Sequence, residues 1–169
     1  MADQIINKVA QSGIVTIDLE DLILDRKANF IDIKDQLFHG LILKEKDFRE
    51  WIKKNDWNMY QNSNVAIYCS ADAVVPTWAY MLLAAALRDT SSQVFYCIPE
   101  SLNAMIAERS LASIKPEDYT DKKVVIKGCG DRDISNHAYV RLTTILVPVA
   151  KSLMFGEPCS TVPVYKKRK

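Results

Sequence analysis

The sequence predicts an α/β fold: a three-layer arrangement built on a mostly parallel sheet, with helices on both faces and N-terminal strands extending the same sheet. Three observations predict it. From residue 65 on, β-branched runs alternate with helix-patterned stretches, the order of right-handed βαβ units. The strand candidates, such as Val65-Ala66-Ile67-Tyr68-Cys69 and Val124-Val125-Ile126, are continuous apolar runs, as strands covered on both faces read. Nothing resembling a linker interrupts the 169 residues, so one domain is expected over 1–169. Within it, 1–60 reads as a sheet extension plus a helix, 65–153 as the βαβ core and 154–169 as a docked tail.

In chain order, Ile5 to Ala10 suggests a short helix closed by Gly13. Ile14 to Leu19 is a first strand, and Phe30-Ile31-Asp32-Ile33 alternates as a half-exposed second. His39-Gly40 marks a turn, with His39 structural, before a short strand at Leu41-Ile42-Leu43. Glu45 to Asn55 is helical, with Phe48, Trp51 and Ile52 on one face. The Val65–Cys69 strand leads through Ser70-Ala71-Asp72 to an apolar helix, Thr77 to Arg88, opened by Pro76. Val94 to Ile98 is the next strand, and Pro99-Glu100 opens a helix to about Leu111. Val124 to Lys127 is followed by a last long helix, His137 to Leu153, which Pro148 should kink.

Composition bounds the function. Apolar content of 49% and charged content of 25% are ordinary for a globular domain. A net charge of +1 gives no pull toward nucleic acid, and Trp51, Trp57 and Trp78 have no accompanying basic stripe. Lys166 to Lys169 reads as a solvated terminus. Met1 to Ala10 lacks the apolar region of a secretory leader, and the longest apolar run, Trp78 to Leu87, falls well short of a membrane span. The chain is therefore expected in the cytoplasm, with no membrane or nucleic-acid partner. No internal repeat is visible. Dinucleotide, phosphate-loop and hydrolase-elbow glycine motifs are missing.

The stretch that looks chemical is Lys127-Gly128-Cys129-Gly130-Asp131. Two glycines bare the Cys129 sulfur and free the backbone at the carboxyl end of a strand, where open α/β sheets bind ligands. Cys69 ends a strand in the same way, and both cysteines precede a helix whose amino end would favour a thiolate. If their strands are neighbours, the two sulfurs should lie roughly 4 Å apart, within one ligand sphere. His137 opens the last helix on the side of Cys129. The tail Gly156-Glu157-Pro158-Cys159 to Tyr165, stiffened by proline, is expected to fold back toward the strand ends, the alternative being an edge strand. Cys69, Cys129, His137 and Cys159 then form a soft-ligand set for zinc, iron or an iron–sulfur cluster, with Asp72, Asp131 and Glu157 beside it. Their spacing matches no finger or ribbon. Cys97 reads as a core residue.

Three stretches carry a resemblance: Ile33 to Arg49, Cys69 to Met81, and Lys127 to Asp131 together with Gly156 to Tyr165. They resemble a bacterial family catalogued only as a domain of unknown function, number 2480, over almost the whole chain. The resemblance implies no activity and assigns no residue. It implies a setting beside iron–sulfur assembly proteins, since genes of this family often neighbour theirs. Three functions stay open: an iron–sulfur or metal accessory protein using the cysteine/histidine set; a thiol enzyme with Cys129 as nucleophile and His137 as base; and a ligand- or partner-binding module, self-association included, in which the cysteines only pack.

Overall fold

The structure, a computed structural model, describes residues 13–23, 26–128, 134–157 and 160–168. In chain order its elements are β1 (Ile14–Asp18), the one-turn helix α1 (Leu19–Leu22), β2 (Ala28–Asp32), β3 (Leu37–Phe38), β4 (Ile42–Leu43), α2 (Glu45–Lys54), β5 (Asn64–Tyr68), α3 (Thr77–Leu87), β6 (Gln93–Tyr96), α4 (Leu102–Leu111), β7 (Lys123–Lys127), α5 (Asn136–Leu146), β8 (Ser152–Glu157) and β9 (Ser160–Lys166). The class is α/β with mostly parallel strands, as the sequence predicts.

The chain forms two compact units. Unit one comprises Met1–Leu24 and Ile106–Lys169, and unit two Asp25–Met105. The sheet of unit one has the order β1-β7-β8-β9, parallel except for the last pair. Its β-branched runs bury Ile17, Val124 and Ile126 against Leu142, Leu146 and Leu153. Each such side chain, fully buried, is worth very roughly 1.5–3 kcal/mol. The sheet of unit two has the order β2-β5-β6, all parallel. Its core joins Ile31, Ile33, Val65 and Ile67 to Leu83, Leu87 and Phe48. Phe48, Trp51 and Trp57 extend this core as a chain of ring contacts, at 5.4 and 5.5 Å. The β3–β4 hairpin turns at His39 and Gly40, both at positive φ, which gives His39 the structural part expected of it.

Three expectations are corrected. The N-terminal strands do not extend one sheet: β1 pairs with β7 and β2 with β5, each completing its own unit. The last helix does not run through a kink at Pro148 but ends at Leu146, and Ser152–Glu157 is strand. Proline cannot donate the next helical bond, yet the earlier helix α3 stops at the corresponding place with Arg88-Asp89, where nothing prevents continuation. The strand that must follow sets the end in both. Finally, the tail is β9, an edge strand antiparallel to β8.

The sequence also hides a repeat. At one constant offset, Trp57–Tyr60, β5 and α3 correspond to Pro116–Tyr119, β7 and α5, and β6 and β8 start in register. Val65, Ile67, Ala79, Tyr80, Leu83 and Leu87 meet their own kind in Val124, Ile126, Ala138, Tyr139, Leu142 and Leu146. The backbone matches where side chains do not. Asn62 and Asp121 occupy equivalent places, both left-handed at φ 56° and 54°. Their N–H groups donate to the carbonyls of Thr90 and Val149, themselves equivalent, at 3.0 and 2.9 Å. Each unit is thus one strand plus a strand–helix–strand crossover, and Asp18 and Asp32 end the two leading strands by capping the turn that follows.

Candidate functional site

In unit one, β7 delivers Gly128 to the carboxyl end of the sheet, and α5 returns Tyr139 above it. The Tyr139 hydroxyl donates to the Gly128 carbonyl at 2.6 Å. A Cβ on Gly128 would lie 2.4 Å from that hydroxyl, so only glycine permits the approach. The φ of Gly128 is not left-handed; the residue is glycine for space, not for the conformational freedom read from the sequence. The Tyr139 ring meets Phe155 edge to face at 5.6 Å. Between the amino half of α5 and the sheet runs a groove of about 930 Å³, lined among others by Ile126, Tyr139, Val140, Thr143, Phe155 and Val164. Among the described residues that line it, none carries an ionisable acid or base of ordinary pKa below Tyr139.

Two charged clusters flank this unit's helix and strand ends. Lys127 lies 3.2 Å from Asp18 and 3.5 Å from Glu157, so β1, β7 and β8 are tied at their carboxyl ends. The bond to Asp18 and the nearby Glu157 charge raise the Lys127 pKa, which keeps it an ammonium and not a nucleophile. Glu108 on α4 holds His137 at 3.1 Å and Arg141 at 2.9 Å. The hydrogen bond from His137 lowers the Glu108 carboxyl; desolvation opposes it and Arg141 reinforces it.

Of the residues expected at a site, Glu157 is brought to Lys127, directly before Gly128 in sequence. His137 is engaged by Glu108. Cys69 belongs to unit two, half-buried at the end of β5, with its thiol toward the Ala71 carbonyl at 3.7 Å. Asp72 is exposed in the bend that follows. Cys129, Asp131 and Cys159 lie outside the described residues, so the expected Cys69–Cys129 pairing does too; β5 and β7 belong to different sheets. Among the described residues no three of His, Cys, Asp and Glu converge to hold a metal ion. Burial raises the Cys97 thiol, but the residue is only half-buried and belongs to neither buried core cluster, which corrects its reading as a core residue.

The sequence reading missed Tyr139, Glu108 and Arg141. Tyr139 had a signal: Ala138-Tyr139 repeats Ala79-Tyr80, each in the first turn of a helix after an apolar strand. Glu108 and Arg141 had none, since they are distant in sequence and ordinary in composition. Unit two shows a carboxylate that is also well held. Burial pushes the Asp32 carboxyl up, but the Ser70 hydroxyl and N–H, the Lys34 N–H and the Lys34 charge outweigh it and leave the group below its ordinary value.

A family model described as a protein of unknown function, DUF2480, matches residues 3–167. No curated protein and no solved structure matches the chain. The chain belongs to the DUF2480 family, as the resemblance implied.

Proposed function

We propose that the protein is a binding module whose unit-one groove takes a small, largely apolar, uncharged ligand. The observation that carries this reading is the preformed wall: Tyr139 is fixed by the Gly128 carbonyl and backed by Phe155, with apolar surface left open beside it. Volume and position support it. Ligand clefts run from about 300 to 1,000 Å³, favour apolar linings with a few polar groups, and sit at the carboxyl ends of parallel strands. Thr143 and Asn136 supply polar groups here. The test is a titration with N-phenyl-1-naphthylamine, an uncharged aromatic dye that fluoresces in apolar surroundings. Val140, 66% exposed on the groove, should tolerate substitution. Val140→Glu is expected to weaken unit-one binding at least tenfold; undiminished binding overturns the reading.

A second reading keeps the thiol. Gly128 lines the groove and Cys129 follows it in sequence, which favours sulfur chemistry at the same end, either as an iron–sulfur accessory function or with Cys129 as nucleophile. Metal analysis of untagged protein tests the accessory form: bound iron or zinc lost in Cys129→Ser supports it, and metal-free protein after anaerobic purification rejects it.

A further inference from the structure

The repeat places a second groove in unit two, of about 710 Å³, on the face between α3 and its sheet. Much of its lining is equivalent to that of the first. Ile67 stands for Ile126, Tyr80 for Tyr139, Met81 for Val140, Ala84 for Thr143 and Tyr96 for Phe155. The ring pair is kept as well: Tyr80 and Tyr96 meet edge to face at 4.8 Å. The two units share few identities elsewhere on these surfaces, yet both retain an edge-to-face pair whose strand-borne ring stands in solvent. Tyr96 is 69% exposed and Phe155 37%. An exposed ring contributes little to its own core. Its open face is instead suited to a third ring, since aromatic groups stack or meet edge to face at about 4.5–7 Å.

We propose that unit two holds a second ligand site equivalent to that of unit one, and that each site takes one uncharged planar aromatic group. The proposal rests on the binding reading of the unit-one groove and extends it in ligand class and number. Charge complementarity selects the occupant. Among the described residues the linings supply apolar side chains, hydroxyls and, in unit one, an amide, and no carboxylate, ammonium or guanidinium to neutralise a charged ligand. Tyr80 does not change this. Burial, helped by the negative ends of Tyr96, Cys69 and Asp32, pushes its phenol up to about 12, so it stays neutral.

The two units also differ at the strand end. Gly128 has Cys69 as its counterpart, which carries the Cβ that unit one cannot accommodate. The ring pair is also closer in unit two, 4.8 Å against 5.6 Å between Tyr139 and Phe155. Unit two therefore offers its ligand two phenols, and unit one a phenol and a bare ring. A ligand edge carrying a hydrogen-bonding group should prefer unit two.

Dye titration of the full chain distinguishes the outcomes. Met81 is 67% exposed at the place of Val140, so both glutamate variants should keep their circular dichroism. The expected result is two equivalents of N-phenyl-1-naphthylamine per chain, one lost in Met81→Glu, the other in Val140→Glu, and both in the double variant. A single equivalent lost in Val140→Glu and indifferent to Met81→Glu overturns the second site and leaves the unit-one reading standing. A single equivalent lost only in Met81→Glu does the reverse. Weak binding indifferent to both variants overturns both.

Discussion

Gly128→Ala puts the Tyr139–Gly128 approach under direct strain. The backbone there suits alanine, so the change acts through the added methyl alone. That methyl would sit 2.4 Å from the Tyr139 hydroxyl and 3.2 Å from the carbon that bears it. The ring must swing away, which breaks the 2.6 Å bond to the Gly128 carbonyl and disturbs the Phe155 contact. Overpacking costs about 1–3 kcal/mol. Loss of the bond adds about 1 kcal/mol, since the half-buried hydroxyl can turn to water. The expected loss is about 2–4 kcal/mol, read by urea unfolding from the shift of midpoint at constant slope. Tyr139→Phe alone should cost about 1 kcal/mol. Combined with Gly128→Ala it should cost less than the sum, because the smaller ring edge removes part of the clash. A loss below about 0.5 kcal/mol, the scale of an ordinary surface change, would refute the close-approach argument.

Two further outcomes follow from the electrostatics. The folded pKa of Glu108 is depressed, so its stabilisation is present above the ordinary carboxyl value of 4.5 and is lost as pH falls through the folded value. The stability gap between wild type and Glu108→Gln should therefore close on acidification below about pH 4.5, and a gap unchanged down to pH 3 contradicts the assignment. For thiols, burial raises Cys97, so brief iodoacetamide treatment at neutral pH followed by mass spectrometry should leave Cys97 largely unlabelled. Labelling of Cys97 first would show that its thiol is not shielded.

Much of the fold was legible because local signals and burial agree. Val65–Cys69, Val124–Lys127 and the α2 face of Phe48, Trp51 and Ile52 announce themselves by composition, and each lies where the pattern put it. Sheet partnership was not legible. β1 and β2 are both short apolar runs near the N-terminus, and nothing in either says that one waits for β7 and the other for β5. The end of α5 was misread because a proline inside an apolar stretch reads equally as a kink or a stop. For the tail the sequence left a fold-back and an edge strand open, and the edge strand is found; β9 tolerates Pro163 as an edge with a register shift opposite Leu153 and Met154.

The site was less legible, for a reason the repeat makes clear. Chemistry was sought in rare residues, cysteine and histidine, because single residues are what spacing can expose. What the two units keep in common is instead geometric: a left-handed polar residue before the strand, a tyrosine in the first turn of the crossover helix and a ring opposite it on the next strand. Asn62 and Asp121 differ in sequence yet hold one turn, because either side chain tolerates positive φ. Tyr96 and Phe155 differ by a hydroxyl yet hold one ring face. Such substitutions erase sequence identity while leaving shape intact. The departures from the repeat are then where the two grooves should differ in what they bind, and the largest at the strand end is Cys69 in the place of Gly128. Cys69 carries at its strand end the Cβ for which unit one has no room, a difference of shape between the two strand ends that requires no thiol chemistry.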